Sequence, residues 1–176
     1  MKALKGIIIG TILVFSIGVV VFLGLSLYAY SNLKYYSVYY AQHIPHKEGT
    51  EPDLVMLIEN MSSIYTPKIE GIRYDDDGRN FIENSTNLTG KPTNFDEFVG
   101  GYGYSDQNDV TYKFKKNFSL EWAMDKHYKK IDLATVDEKK IKEEIRETVQ
   151  PVLDAQPKPR INLQWLFNKK YQDRFN

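Results

Sequence analysis

The chain begins with a long apolar run, which is followed by a longer stretch in which apolar and polar positions alternate. Gly6 to Leu33 contains no charged residue. About 20 apolar residues in a helix cross the hydrocarbon core of a bilayer, which is about 30 Å thick. The 25 residues Gly6–Tyr30 are therefore long enough to span it with some tilt. The pattern predicts an N-terminal transmembrane helix.

A secretory signal peptide is the main alternative for this run. Its apolar core is about 7–15 residues long and ends at a small-x-small cleavage site. The run here is longer, and Leu27-Tyr28-Ala29 matches such a site poorly. We therefore predict an uncleaved signal-anchor, and cleavage near Ala29 stays open as the alternative.

The charges that flank the run predict its orientation. Lys2, Lys5 and the α-amine precede it, whereas only Lys34 follows it closely. The positive-inside rule then leaves the N-terminus in the cytoplasm. We predict a type II single-pass protein of the inner membrane, with residues 41–176 periplasmic.

Tyrosine and glycine mark two further features of the anchor. Tyrosine rings favour the headgroup layer of a bilayer, so we predict the outer interface at the clustered residues Tyr28, Tyr30, Tyr35 and Tyr36.

Gly6 and Gly10 form a G-x-x-x-G pair, a pattern that brings two helices close together and that also occurs by chance in apolar helices.

Beyond the anchor, the pattern predicts an α+β fold. We assign residues 1–33 to the cytoplasmic N-terminus and the span, residues 34–50 to a polar juxtamembrane tether, and residues 51–176 to one domain. That domain is expected to contain an antiparallel β-sheet and about two helices.

The first predicted helix lies near residues 51–64, where apolar residues recur at helical spacing and predict one buried face. The second lies near residues 136–150. It opens on a capping box, Thr135-x-x-Glu138, and Pro151 is expected to end it.

The middle of the chain is typical of strands and turns. The extended run before Asp75-Asp-Asp-Gly78 predicts a hairpin, because glycine accepts the positive φ that a tight turn requires. A calcium loop of the EF-hand type needs glycine at its sixth position, whereas Gly78 is the fourth residue from Asp75. Phe95 to Tyr104, which is rich in glycine and aromatic residues, predicts one bulged or closely packed strand.

Two segments of the last 60 residues resemble each other. Phe118–Lys130 and Ile161–Asp173 share Leu, Trp, Lys and Tyr at equivalent positions. In each copy apolar residues alternate up to the tryptophan, a pattern that is typical of a half-buried strand. We therefore expect Trp122 and Trp165 to be core residues at equivalent positions of two strands.

Charge and cysteine content exclude several classes of protein. Beyond Lys34 the chain carries 20 basic and 23 acidic residues, a net charge of about −3, which argues against binding to nucleic acid. The chain contains no cysteine, so disulfides, zinc-thiolate sites and thiol catalysis are excluded. Four N-x-[ST] sequons, at Asn60, Asn84, Asn87 and Asn117, are glycosylation sites only in a eukaryotic lumen and are otherwise polar turn residues.

Motifs for catalysis are missing from the sequence. His43 and His46 lie in the predicted tether, where no carboxylate precedes Glu48, and His127 falls in a predicted surface turn. Neither G-x-S-x-G nor H-E-x-x-H occurs. We predict no catalytic, metal or cofactor site, and we interpret the domain as a binding module rather than an enzyme.

Part of the domain, about residues 100–145, resembles an uncharacterised family of Gram-negative envelope lipoproteins. The matching residues are Gly100-Gly-Tyr-Gly-Tyr104, Leu120-Glu-Trp122, Lys126-His-Tyr128 and Lys140-Ile141. Tyr102 stands where the family usually has Trp, and the transmembrane helix takes the place of a lipidated cysteine. Some members are neighbours of toxins delivered by contractile secretion systems.

The resemblance implies an immunity role. The predicted function is accordingly that of a membrane-anchored, immunity-type inhibitor of a secreted toxin or effector. The alternative is a non-catalytic accessory subunit of a larger membrane protein complex. In both cases the expected partners are the membrane and another protein.

Overall fold

The structure is a computed structural model that describes residues 2–75, 80–86 and 91–176. An N-terminal helix leads into one α+β domain, as predicted. The domain contains more helices than the two expected. The helices are α1 (Lys2–Tyr35), α2 (Ser37–Ala41), α3 (Pro52–Glu59), α4 (Glu138–Asp154) and α5 (Gln164–Phe175).

Helix α1 contains the predicted span. Gly10–Tyr35 is long and apolar enough to cross a membrane, and the most apolar part of this stretch has a mean hydropathy of 2.5 and no residue buried in the protein. Length and composition of this kind are also found in signal sequences near an N-terminus. The helix is therefore a candidate membrane anchor.

The sheet is an antiparallel meander of six strands, each paired with the next along the chain. The predicted hairpin at Asp75 is confirmed, because Asp75 pairs with Phe81, although 76–79 lie outside the described residues. The strands are β1 (Ile72–Asp75), β2 (Phe81–Asn84), β3 (Thr93–Phe98), β4 (Gly101–Ser105), β5 (Thr111–Lys115) and β6 (Leu120–Met124).

The single strand predicted at Phe95–Tyr104 is wrong, because β3 and β4 are two strands joined by a tight turn at Val99 and Gly100, whereas the close packing predicted as the alternative to a bulge is found at Gly101. Gly100 has a φ of +78°, a conformation in which an L side chain is strained. Gly101 packs so closely against the Phe114 carbonyl of β5 that a Cβ atom would clash with it.

The core lies on the face of the sheet that the helices cover. Helix α3 passes through its centre, and every side chain from Pro52 to Ile58 is buried. This corrects the expectation of one buried face. The helix is also shorter than predicted, since Glu59 is its last residue. Helix α4 is confirmed but runs through Pro151 to Asp154, because Val152 and Leu153 are fully packed in the core.

The segment predicted to be a tether, residues 34–50, is part of the domain instead. It forms α2, and Val38, Tyr40, Ala41 and Ile44 are all buried. Tyr40 is fully buried, and Tyr36 and Tyr39 pack partly against the core. The folded domain therefore starts directly after α1.

The second tryptophan strand is also wrong, and neither tryptophan is one of the buried core residues. Trp165 lies in α5 and is 66% exposed, whereas Trp122 lies in β6 and is partly buried against Phe98, with ring centroids 6.0 Å apart. The apolar residues that α5 turns towards the core, Leu163, Phe167, Tyr171 and Phe175, recur every four residues. That spacing is helical, and it outweighs the short alternation around Trp165.

Candidate functional site

The end of α1 is fixed to the domain by hydrogen bonds around Tyr40. The buried Tyr40 hydroxyl donates to Asn32 Oδ1 at 2.7 Å and accepts from the Leu163 backbone N–H at 3.0 Å. The Asn32 amide in turn donates to the Ile161 carbonyl at 3.3 Å. Burial raises the pKa of Tyr40, so the hydroxyl keeps its proton. The last turn of α1, α2 and the start of α5 are thereby held together.

The same connection closes the domain at its C-terminal end. Gln164 donates from its side-chain amide to the Tyr40 carbonyl at 2.9 Å, and the Lys47 backbone N–H donates to the Phe175 carbonyl at 2.8 Å. Residues from both ends of the chain thus form one packed unit with α1. The orientation of the domain relative to α1 is set by this packing and not by a linker.

A polar cleft lies between α4 and the loops that follow β2 and β4. Its volume is about 380 Å³. The residues that line it include three carboxylates, Asp106, Glu144 and Glu147, and one lysine, Lys140. The buried hydroxyls of Tyr104 and Thr148 also line it. These charged residues give the cleft a net negative charge.

The wall of the cleft is held by hydrogen bonds between the sheet and α4. Asn84 donates from its side chain to the Thr148 carbonyl at 2.9 Å, and the hydroxyls of Thr93 and Thr148 are 3.0 Å apart. Asp106 accepts from the backbone N–H groups of Asn108 and Val110 at 2.8 and 2.9 Å, which fixes the loop after β4. Asp106 is therefore a structural residue as well as a source of negative charge.

One carboxylate of the cleft, Glu144, has a raised pKa. Burial raises the pKa of Glu144, and the charges of Asp106 and Glu147 raise it further, while Lys140 opposes them with its ammonium 3.7 Å from the carboxylate. Burial likewise raises the pKa of Tyr112, which lies beside Asp106, to about 12. A cation that approaches Glu144 would stabilise its ionised form, which burial and the neighbouring carboxylates disfavour.

A second, partly buried network joins α3, α5 and β4. Arg174 donates to Glu59 Oε2 at 2.7 Å and to the Tyr102 hydroxyl at 2.9 Å, and that hydroxyl donates to Glu59 at 2.7 Å. Burial alone would raise the pKa of Glu59, but the hydrogen bonds from Arg174 and Tyr102 lower it below its usual value. The three groups satisfy one another, which is typical of a structural site.

The predicted interface residues lie at the domain end of α1. Tyr28, Tyr30 and Tyr35 are exposed, whereas Tyr36 packs partly against the core. Gly10 has open space around the position of a Cβ atom. The surroundings of Gly6 lie outside what the structure describes.

The predicted turn and linker residues have local partners. His127 lies in an exposed turn, in which the Asp125 carboxylate accepts from the backbone N–H groups of His127 and Lys129. His43 and His46 are exposed, and each lies within hydrogen-bond distance of a nearby backbone carbonyl. Within the described residues, no three His, Asp or Glu side chains are placed to hold a metal ion.

The four sequons differ in their surroundings. The side chain of Asn60 is buried and that of Asn84 is bonded to Thr148, whereas Asn117 is exposed. Asn87 lies outside the described residues.

Sequence reasoning missed the cleft, because its residues come from three separate segments. One signal was available: Thr148 interrupts the apolar stripe of α4 between Ile145 and Val149, and its hydroxyl bonds across to Thr93. A polar residue inside an apolar stripe indicates a polar partner on the neighbouring element.

Comparison of the chain with family models, with curated proteins and with solved structures finds no match. The resemblance to envelope lipoproteins therefore stays a prediction.

Proposed function

We propose that the protein is a single-pass, membrane-anchored binding protein, with its domain on the periplasmic side of the inner membrane and with a protein partner as its ligand. The observation that carries the proposal is the hydrogen-bonded junction of Asn32, Tyr40 and Ile161, which fixes the domain to a helix long enough to span a bilayer. A domain held in this way presents its surface to a partner at a constant position above the membrane.

The acidic cleft is the partner site that we propose. It combines a volume of about 380 Å³ with three carboxylates and the raised pKa of Glu144. A lysine or arginine side chain of a partner would lie among opposite charges there and would replace the repulsion between the carboxylates with attraction. The partner is therefore expected to offer a basic, exposed segment.

The specific role that we propose is that of an immunity-type inhibitor of a secreted toxin or effector. This role comes from the resemblance to envelope lipoproteins. Confining an inhibitor to the membrane surface raises its effective concentration against an effector that attacks that membrane. In this role the protein acts as a monomer or a dimer until its target arrives.

The alternative is an accessory subunit of a larger membrane complex. One observation favours it: Gly10, Gly18 and Gly24 of α1 have open space around them, so another span could approach the helix closely. A subunit would be recovered with a stable set of integral membrane proteins, whereas an inhibitor would be recovered with a soluble, exported protein.

Cross-linking of the full-length, tagged protein in its native membrane, followed by mass spectrometry, tests these roles. For the cleft, we expect the variant Glu144→Gln/Glu147→Gln to recover at least tenfold less partner than the wild type, and less partner at high salt. Glu143→Gln is the matched control, because Glu143 is exposed on the same helix and lies outside the lining of the cleft. Equal recovery by all three proteins would remove the cleft from the proposal.

A further inference from the structure

A basic and aromatic surface of the domain surrounds the end of α1. We propose that this surface, formed by Lys34, Arg160, Ile161, Trp165 and Lys170, binds the anionic phospholipid headgroups of the bilayer that α1 crosses. The inference rests on the proposed membrane anchoring by α1. It adds a lipid-binding site that orients the domain, which the anchor alone does not provide.

Contacts with α1 place the surface at the depth of the headgroups. The Ile161 carbonyl accepts from Asn32, and Lys170 Nζ lies 5.7 Å from the centre of the Tyr30 ring. Gly10–Ala29 supplies 20 residues, which at 1.5 Å per residue cover the roughly 30 Å hydrocarbon core. The headgroup layer then begins at Tyr30, beside Lys170.

The length of α1 agrees with this placement. Lys5 and Lys34 are 29 residues apart on one continuous helix. At 1.5 Å per residue they are about 43 Å apart, which matches the roughly 40–45 Å thickness of a bilayer that includes both headgroup layers. Lys34 therefore lies in the outer headgroup layer, where its Nζ is 5.2 Å from the centre of the Tyr30 ring.

Two exposed apolar side chains lie in the segment that is bonded to the end of α1 and to α2. Trp165 is 66% exposed and Ile161 is 55% exposed. Tryptophan is enriched at membrane interfaces, because its ring is apolar and its indole N–H needs a polar partner. A bilayer covers both side chains without a second protein.

The charges around the end of α1 are of one sign. Residues 28–47 and 155–172 contain no Asp or Glu and carry six basic residues: Lys34, Lys47, Lys158, Arg160, Lys169 and Lys170. The rest of the chain after Lys34 has 15 basic and 23 acidic residues, a net charge of −8. Within the described residues, no carboxylate lies within ion-pair distance of Lys34, Arg160 or Lys170. Lys34, Arg160 and Lys170 thus form a positive region beside the end of α1, which the proposal places at the membrane.

A groove beside α1 has the chemistry of a phosphate site. Its volume is about 570 Å³, and Arg160 lines it together with Tyr28, Ser31, Asn32, Tyr35 and Tyr36. A guanidinium binds phosphate oxygens through paired N–H groups, and serine and tyrosine hydroxyls donate to the oxygens that remain. The groove runs along the helix at the depth where lipid phosphates lie.

Brominated lipids test the depth of Trp165 in the full-length protein, reconstituted in vesicles of phosphatidylcholine with about 30% phosphatidylglycerol. The variant Trp122→Phe leaves Trp165 as the only tryptophan, and Trp165→Phe leaves Trp122. We expect lipids brominated near the headgroup to quench Trp165 at least twofold more strongly than Trp122. Equal, weak quenching of both would overturn the proposal.

Spin-labelled lipids test the charge of the surface. We expect the wild type to immobilise spin-labelled phosphatidylglycerol about threefold or more over phosphatidylcholine, because each basic residue near an anionic surface contributes about fivefold to binding. Arg160→Gln/Lys170→Gln should lower this preference, whereas Lys126→Gln/Lys129→Gln, at exposed positions of another loop, should keep it. A preference that both double variants retain would contradict the headgroup site.

Extraction with alkaline carbonate separates this inference from the proposal on which it rests. A chain that stays in the membrane while Trp165 is not quenched contradicts only the lipid-binding surface. A chain that carbonate extracts contradicts the membrane anchor, and the lipid-binding surface with it.

Discussion

The Tyr40 hydroxyl donates to Asn32 Oδ1 at 2.7 Å, and this bond joins the candidate membrane helix to the core of the domain. Tyr40 is fully buried and Asn32 nearly so. A buried polar pair of this kind is stable only while both partners are present, since either group alone would be desolvated without compensation. The pair therefore couples the end of α1 to the stability of the domain core.

Removal of the Tyr40 hydroxyl should destabilise the domain. Tyr40→Phe leaves Asn32 Oδ1 and the Leu163 N–H without their partner, at a cost of about 1–3 kcal/mol. Thermal unfolding of the full-length protein in detergent measures this as a drop in Tm. Tyr39→Phe is the control, because it removes a hydroxyl from the adjacent tyrosine, whose side chain is only partly buried. Equal Tm values for the two variants would mean that the junction adds no stability.

Arginine in the middle of α1 should abolish stable insertion. Each arginine near the centre of a span costs about 2.5–3.5 kcal/mol on the insertion scale, so we expect Leu13→Arg/Val20→Arg to appear in the carbonate-soluble fraction. Leu13→Ile/Val20→Leu keeps the apolar character and should stay in the membrane pellet. Retention of the arginine variant in the pellet would show that α1 is not the anchor.

The two tryptophans should differ in their effect on stability. Trp165→Ala removes an exposed side chain and should change the free energy of unfolding in detergent by less than about 0.5 kcal/mol. Trp122→Ala removes the packing against Phe98 and should cost about 1–3 kcal/mol. Denaturant unfolding of both variants measures the difference. A larger loss for Trp165 would place its side chain in the core.

Prediction from the sequence succeeded where a local period was long and clear. The apolar run of α1 and the stripe Ile141, Ile145, Val149 of α4 each indicate their helix without knowledge of the rest of the fold. It failed at Trp165, because three alternating positions fit a strand as well as one turn of a helix. The deciding residues, Phe167, Tyr171 and Phe175, lie further along the chain.

Long-range partners explain the remaining failures. Residues 34–50 resemble a polar tether locally, but part of this segment is in the core, because Tyr40 accepts from the Leu163 backbone N–H and from the Gln164 side chain, which are 123 and 124 residues away in sequence. The cleft likewise needs Asn84, Thr93 and Thr148 to meet, and their sequence separation is 55 residues or more between sheet and helix. No local pattern encodes such pairs.

Acid should weaken the network of Glu59, Arg174 and Tyr102. Because the pKa of Glu59 is lowered in the folded state, its contribution is complete above the unfolded value of about 4.3 and is lost as the pH falls through the folded value. Glu59→Gln should be less stable than the wild type by about 1–3 kcal/mol at pH 7, and the difference should shrink below about pH 5.

Denaturant unfolding of the full-length protein in detergent from pH 7 to pH 3 measures this change. Glu143→Gln, at an exposed position of α4, should follow the wild type at every pH. A constant difference between Glu59→Gln and the wild type across the range would contradict the lowered pKa.

The side of the membrane on which the domain lies is tested most directly by one engineered cysteine. The chain has none of its own, and Tyr128, which is 88% exposed in the loop after β6, can be replaced by cysteine without loss of core packing. For a type II anchor with a periplasmic domain, a maleimide that passes the outer but not the inner membrane should label Tyr128→Cys in intact cells as fully as in lysed cells. Labelling only after lysis would place the domain in the cytoplasm and contradict the account.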